Sequence, residues 1–151
     1  ENDALNSAFI SSQLTYNITP NWGISGGAVS ANGAFNPMVA ISYTYFNEKG
    51  DFLLNLFPTL HLKDKNEYEL SGMLLYTPKL TEKYSLFTQV FFGTSYNEQL
   101  NEHLFSFSQF RVGIGFKKYF QVGVGYDQTF IGQGETSMSF DNVGVFLRVE
   151  L

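Results

Sequence analysis

The chain has 151 residues, no cysteine, a net charge of −5, 17% aromatic residues, 14 glycines and only 15% charged residues. The length fits one domain spanning 1–151, and the lack of cysteine excludes a disulfide framework and a thiolate metal site. No apolar run reaches the roughly 18 residues of a transmembrane helix. The acidic balance argues against nucleic-acid binding, which needs a basic face.

Runs of two-residue alternation, cut by turn residues, predict strands along the whole chain. In order, the segments are 5–18, 22–30, 37–46, 51–62, 67–77, 84–96, 104–117, 120–131 and 140–151. The pattern is weakest at 22–30, because Gly23, Gly26 and Gly27 dilute it. Short connections at 20–21, 47–50 and 118–119 tend to alternate with longer ones at 31–36, 97–103 and 132–139.

The last three segments carry the clearest alternation. One set of positions is apolar or aromatic, and the set between them is mainly glycine, amide and charge. The apolar set comprises Phe110, Val112, Ile114, Phe116, Phe120, Val122, Val124, Tyr126, Val143, Val145, Leu147, Val149 and Leu151. This pattern is typical of strands with lipid on one side and a crowded polar lumen on the other.

A soluble lipocalin-type barrel or a sandwich also alternates, with its apolar face turned inward. Aromatic residues at both ends of several apolar stripes favour the membrane arrangement, as do glycine and serine on the other face. The sequence therefore predicts an all-β, antiparallel, up-and-down transmembrane β-barrel. Because single-chain bacterial barrels have even strand numbers, we expect about eight strands, with about ten as the alternative.

The final strand resembles the C-terminal assembly signal of bacterial outer-membrane proteins. Its apolar positions are Val143, Val145, Leu147, Val149 and Leu151, and Leu151 stands where those proteins usually have an aromatic residue. In length and texture the whole chain resembles small outer-membrane barrels of OmpA, OmpX and OmpW type. The resemblance implies an integral outer-membrane location, with Leu151 on the periplasmic side and the longer loops outside.

Charged residues on the polar face predict a lumen network. If residues 118–120 form the turn, Gly115 faces Gly123 and Arg111 lies directly opposite Asp127. Opposite charges at such positions stabilise an antiparallel pair, and we expect this pair to pack the lumen. Further lumen positions are Glu69, Gln89, Arg148 and Glu150.

The two histidines are His61, late in the fourth segment, and His103, in the 97–103 loop. Barrel enzymes that modify lipids use a histidine near a serine and a carboxylate, an arrangement that activates serine. His103 has Glu102 and Ser106 close in sequence. Sequence neighbours are not a positioned triad, so we expect no enzymatic activity, no metal and no cofactor.

The leading functional expectation is a structural, anchoring or partner-docking protein of the outer membrane, since the interior of a barrel of about eight strands is filled by side chains. Its expected partners are outer-membrane lipid, lipopolysaccharide and a larger outer-membrane protein complex, with no nucleic acid. A narrow channel for small molecules is the alternative. A lipid-modifying membrane enzyme is the second alternative.

Overall fold

A computed structural model describes residues 9–31, 34–62, 67–117, 119–132 and 137–149. These residues form nine β-strands in one sheet. The strands are β1 (Phe9–Asn17), β2 (Trp22–Ala31), β3 (Ala34–Phe46), β4 (Phe52–His61), β5 (Glu67–Tyr76), β6 (Tyr84–Asn97), β7 (Glu102–Phe116), β8 (Phe120–Ile131) and β9 (Met138–Val149). Within the described ranges no helix is long and apolar enough to cross a membrane.

Each strand pairs antiparallel with the next strand in the chain, from β1 through to β9. The predicted all-β, antiparallel, up-and-down topology is therefore confirmed. Across the described strands the sheet has nine members rather than the expected eight, and β1 and β9 each pair on one side only. The glycine-diluted segment is a complete strand, because all ten residues from Trp22 to Ala31 pair with β3.

Three of the turns after odd-numbered strands use the same local chemistry. The side-chain oxygens of Thr19, Asn47 and Thr81 each accept two backbone N–H groups from the following residues, at 3.0–3.2 Å. Side chains of this type replace a backbone acceptor in a tight turn. The turns thus fix where β2, β4 and β6 begin.

The predicted alternation of short and long connections is wrong. Odd-numbered strands are followed by connections at 18–21, 47–51, 77–83 and 117–119, and even-numbered strands by connections at 32–33, 62–66, 98–101 and 132–137. The break predicted at 31–36 shortens most, because β3 begins at Ala34. Loop length therefore does not distinguish the two ends of the sheet.

Among the connecting residues that the structure describes, the lysines distinguish the ends. Lys49, Lys79, Lys83 and Lys117 all lie in connections that follow odd-numbered strands. We call this the lysine end and the other the opposite end. Because β9 runs toward the lysine end, this is the end that the sequence analysis places in the periplasm.

A proline interrupts the pairing of β3 with β4. The ladder pairs Tyr43 with Leu56 and resumes only at Ala40 and Thr59. Pro58 lies in this gap and, lacking an N–H group, cannot donate a ladder hydrogen bond. On its other side Pro58 still pairs with Leu70 of β5. The sheet is therefore locally weakened along one seam of the β3–β4 pair.

Candidate functional site

The two faces of the sheet reverse the usual pattern of burial. On one face, called here the apolar face, large hydrophobic side chains lie open, and Val145 and Leu14 are 86% and 84% exposed. The other, called the inner face, holds the buried polar residues Ser25, Ser42, His61, Ser95 and Asn97. An extended exposed apolar surface marks contact with lipid or with another protein.

Aromatic side chains border the apolar face at both ends. At the lysine end the ring pairs Trp22–Tyr43, Tyr45–Phe52, Phe52–Tyr76 and Tyr84–Phe116 run from β2 to β7. At the opposite end lie Phe35, Tyr68, Tyr96 and Phe130, each at least 40% exposed. In β5 the two belts are separated by the stretch from Tyr68 to Tyr76, about 26 Å of strand. At the tilt of about 35–45° that barrel strands have, this stretch spans about 20 Å along the membrane normal, close to the apolar band of about 25 Å in membrane barrels.

Two glycines on the inner face let two aromatic rings meet above them. Phe87 of β6, Gly113 of β7, Gly123 of β8 and Phe146 of β9 lie in one row of the register. The Phe87 and Phe146 ring centroids are 5.6 Å apart, and Phe87 is only 3% exposed. The sheet therefore curves around its inner face between β6 and β9, and side chains fill that part of the interior.

Arg111 and Asp127 form a bidentate ion pair on the inner face. Nη2 donates to Oδ2 at 2.9 Å, and Nη1 donates to Oδ1. The predicted register is wrong by two residues, because Gly113 pairs with Gly123 and Arg111 pairs with Gly125. Phe116 pairs with Phe120, so Arg111 reaches Asp127 diagonally, across the space left by Gly125. The pair has side chains 23% and 32% exposed and borders a small cavity of about 150 Å³.

The other predicted lumen residues are spread along the inner face. Gln89 donates from Nε2 to the Met73 sulfur at 3.1 Å. Arg148 pairs with Gln121 across β8 and β9 and is exposed near the lysine end. Glu69 is far from both of them, next to His61. Glu150 lies outside the described residues. Glu69, Gln89 and Arg148 therefore lie at three separate places along the inner face.

A buried polar cluster that the sequence analysis did not single out lies on the inner face near the opposite end. His61 Nε2 is 3.3 Å from Glu69 Oε2, and His61 is 7% exposed. Ser95, which is fully buried, donates to Glu67. The register alone brings these residues together, since His61 pairs with Glu67 and Glu69 with Ser95. Two carboxylates at adjacent inward positions of β5 are the sequence signal that points to this cluster.

A β-bulge in β7 brings His103 and Ser106 together on the apolar face. The β6–β7 register shifts between Ser95 and Tyr96, which leaves Leu104 as an additional residue in β7. Residues three apart normally point to opposite faces, but the additional residue cancels that alternation. His103 Nε2 consequently lies 2.7 Å from Ser106 Oγ. The predicted loop position of His103 is wrong, because β7 begins at Glu102.

Gly132 and Thr94 surround this pair. His103 Nδ1 lies 3.1 Å from the carbonyl oxygen of Gly132, whose own N–H donates to Leu104 O at 2.8 Å. Thr94 Oγ1 lies 2.8 Å from Ser106 Oγ. The Gly132 carbonyl oxygen therefore has the position next to His103 that the sequence suggested for the Glu102 carboxylate.

An apolar groove of about 790 Å³ crosses the apolar face from β2 to β6. Ile24, Ile41, Leu60, Leu70, Thr94 and Tyr96 are among the residues that line it. Pro58, at the interruption of the β3–β4 ladder, also lines the groove. The groove and the Ser106–His103 pair thus meet at Thr94.

The final strand presents its apolar positions on the apolar face. Val143, Val145, Leu147 and Val149 are between 49% and 86% exposed. Leu151 lies outside the described residues. In the part of the chain that the structure describes, no group of three or more His, Cys, Asp or Glu side chains is placed to hold a metal ion.

These features define an antiparallel up-and-down sheet with a polar, partly filled inner face and an exposed apolar face between two aromatic belts. Among solved structures, the chain is similar to one titled KdgM porin, with 13% sequence identity and a TM-score of 0.47. The similarity covers 92% of this chain and 78% of the porin chain. No protein-family model and no curated protein sequence matches the chain.

Proposed function

We propose that the chain is an integral β-barrel protein of the bacterial outer membrane, with a structural, anchoring or partner-docking role. The observation that carries this proposal is the reversed burial of the sheet. Large apolar side chains such as Val145 and Leu14 are exposed on one face, and polar side chains such as Ser95 and His61 are buried on the other. In water that arrangement leaves apolar area unburied, whereas in lipid it satisfies both faces.

The filled inner face favours a structural role over a channel. Phe87 and Phe146 meet above Gly113 and Gly123, so that part of the interior has no room for a continuous water path. The Arg111–Asp127 pair occupies the neighbouring inner positions. A narrow channel remains the alternative function, and in that case Phe87 and Phe146 are its constriction.

The expected partners follow from the apolar face. Its exposed valines, leucines and aromatic belts contact acyl chains and lipid headgroups, which include lipopolysaccharide in an outer leaflet. A protein partner would dock on the same wall, and the acidic net charge gives no support for nucleic acid.

The test is reconstitution of the full chain into phospholipid vesicles, followed by flotation after a urea wash and by planar-bilayer recording. We expect the protein to float with the vesicles and to conduct no more than the empty bilayer. The matched variant Phe87→Ala/Phe146→Ala, which clears the inner face, should raise conductance above that background. A wild-type chain that stays soluble and monomeric without detergent would overturn the membrane proposal, and high wild-type conductance would favour the channel.

A further inference from the structure

The contact with Gly132 indicates which nitrogen of the neutral His103 ring carries the proton. Nδ1 lies 3.1 Å from the Gly132 carbonyl oxygen, and a carbonyl only accepts, so Nδ1 is the protonated nitrogen of the neutral ring. Nε2 is then an acceptor, and the Ser106 hydroxyl lies 2.7 Å from it. Thr94 Oγ1, which lies 2.8 Å from Ser106 Oγ, is a second acceptor for the Ser106 hydroxyl proton.

This arrangement is the one that makes a serine nucleophilic. A general base must lie within about 2.6–3.2 Å of the hydroxyl oxygen whose proton it takes, and a third group must orient the base. Here the base is His103, and the orienting group is the Gly132 carbonyl, which takes the position of the carboxylate in a Ser-His-Asp triad. Bulges are over-represented next to active sites because they re-aim a side chain, and the bulge at Leu104 does this for His103.

The surroundings of the pair indicate the substrate class. The groove of about 790 Å³ on the same face ends at Thr94, so its apolar lining offers a hydrocarbon chain a path to Ser106 Oγ. Tyr96 lines the groove near the pair and belongs to the aromatic belt of the opposite end. Such belts lie where acyl chains meet headgroups, and this is the depth at which the ester bonds of membrane lipids lie.

We infer that Ser106 and His103 form a catalytic site for hydrolysis of long-chain carboxylic esters of membrane lipids, with the acyl chain in the groove. The inference rests on the proposed contact of the apolar face with lipid. Ser106 Oγ bonds to the ester carbonyl carbon while its proton passes to His103 Nε2. The carbon–oxygen bond to the lipid alcohol then breaks, and that alcohol leaves with the proton from Nε2.

Water completes the cycle. A water molecule gives a proton to Nε2 and bonds to the carbonyl carbon of the acyl-Ser106 ester. The bond from the carbonyl carbon to Oγ breaks, and Nε2 returns the proton to Ser106. The products are a free fatty acid and a lipid with one acyl chain fewer, and no oxidant, metal or cofactor takes part.

The experiment uses the full chain in mixed micelles, and covalent labelling by a long-chain alkyl fluorophosphonate is its first readout. We expect the wild type to be phosphonylated at Ser106, as located by mass spectrometry of peptides. Ser106→Ala should remove the label, and His103→Asn should slow labelling by about 10²–10⁴-fold, the usual contribution of a general base. Ser108→Ala is the matched control, because Ser108 lies two residues further along β7 on the same face, and it should label like the wild type.

The second readout is release of fatty acid, measured in separate arms on phosphatidylethanolamine and on lipopolysaccharide, which distinguishes the two lipid sources. We expect release in at least one arm and none from Ser106→Ala. Vesicle flotation of every variant separates the two proposals. A chain that floats but neither labels nor releases fatty acid overturns the catalytic site and leaves the membrane proposal standing, whereas a chain that does not float overturns the membrane proposal itself.

Discussion

Gly123 occupies the most crowded inward position of β8. A Cβ atom built on Gly123 would lie 2.6 Å from the Cα of Gly113 and 2.8 Å from Cε1 of Phe146, and it would also meet the Val112 carbonyl oxygen. Backbone atoms cannot move aside as the end of a flexible side chain can. Gly144, by contrast, has nothing within 4 Å of its Cβ position, although it lies on the same inner face.

We therefore expect Gly123→Ala to lower the free energy of unfolding by about 1–3 kcal/mol, the usual cost of overpacking. Gly144→Ala is the matched control and should stay within about 0.5 kcal/mol of the wild type. The measurement is urea unfolding in detergent micelles, followed by tryptophan fluorescence of Trp22. Equal stability of the two variants would contradict the close approach of β7 and β8 at Gly113 and Gly123.

In the Arg111–Asp127 pair the shared face was predictable from the sequence, but the register was not. Alternation assigned both residues to one face, and a two-residue error in register does not change that assignment because the side-chain period is two. The error arose at the turn, where Phe116 pairs with Phe120 across residues 117–119. The Arg111 side chain is long enough to reach Asp127 diagonally. The ion pair therefore forms although the observed register differs from the predicted one.

Among the strands, β7 contains a feature that the sequence does not predict, the bulge at Leu104. Alternation predicts strands well where it is unbroken, but a bulge inserts one residue and leaves no composition signal. The turn-forming residues before His103 predict a loop there, whereas the structure continues β7 to Glu102. Proximity of His103 and Ser106 therefore depends on the pairing of β7 with β6 and on Gly132, neither of which is local in sequence.

Gly132 connects the end of β8 to the bulge, and its φ of +82° lies in the region that favours glycine. Gly132→Ala should cost about 1–2 kcal/mol of stability, and it should also slow phosphonate labelling of Ser106 by displacing the carbonyl that orients His103.

Gly50→Ala is matched for strain, since its φ is +68° and nothing lies near its Cβ position. It lies at the lysine end, so it should lower stability similarly without changing the labelling rate. Equal labelling rates in both variants would show that Gly132 does not position His103.

The open edges of the sheet are the main structural difficulty for the proposed location in lipid. Among the described strands, β1 and β9 each have one edge without a partner strand, and each unsatisfied backbone group in hydrocarbon costs several kcal/mol. The contact of Phe87 with Phe146 shows that β6 to β9 already curve around the inner face. Nine strands with antiparallel neighbours make β1 and β9 run in the same direction, so direct closure would form one parallel pair.

We expect the sheet to close within one molecule, with β1 beside β9. Since the chain has no cysteine, Leu14→Cys can be combined in turn with cysteine at Val143, Val145 or Leu147 and treated with thiol cross-linkers of different lengths. Direct neighbours lie about 4.8 Å apart, whereas an intervening tenth strand would separate β1 and β9 by about 10 Å. Capture of one of these pairs within a single chain by a short cross-linker would therefore support closure by nine strands, and capture only by a longer one would indicate ten.

The folded protein should also migrate faster on gels before boiling than after, while Leu14→Cys alone gives no internal product. Cross-links that form only between two chains would contradict closure within one molecule, because a second copy would then cover each edge.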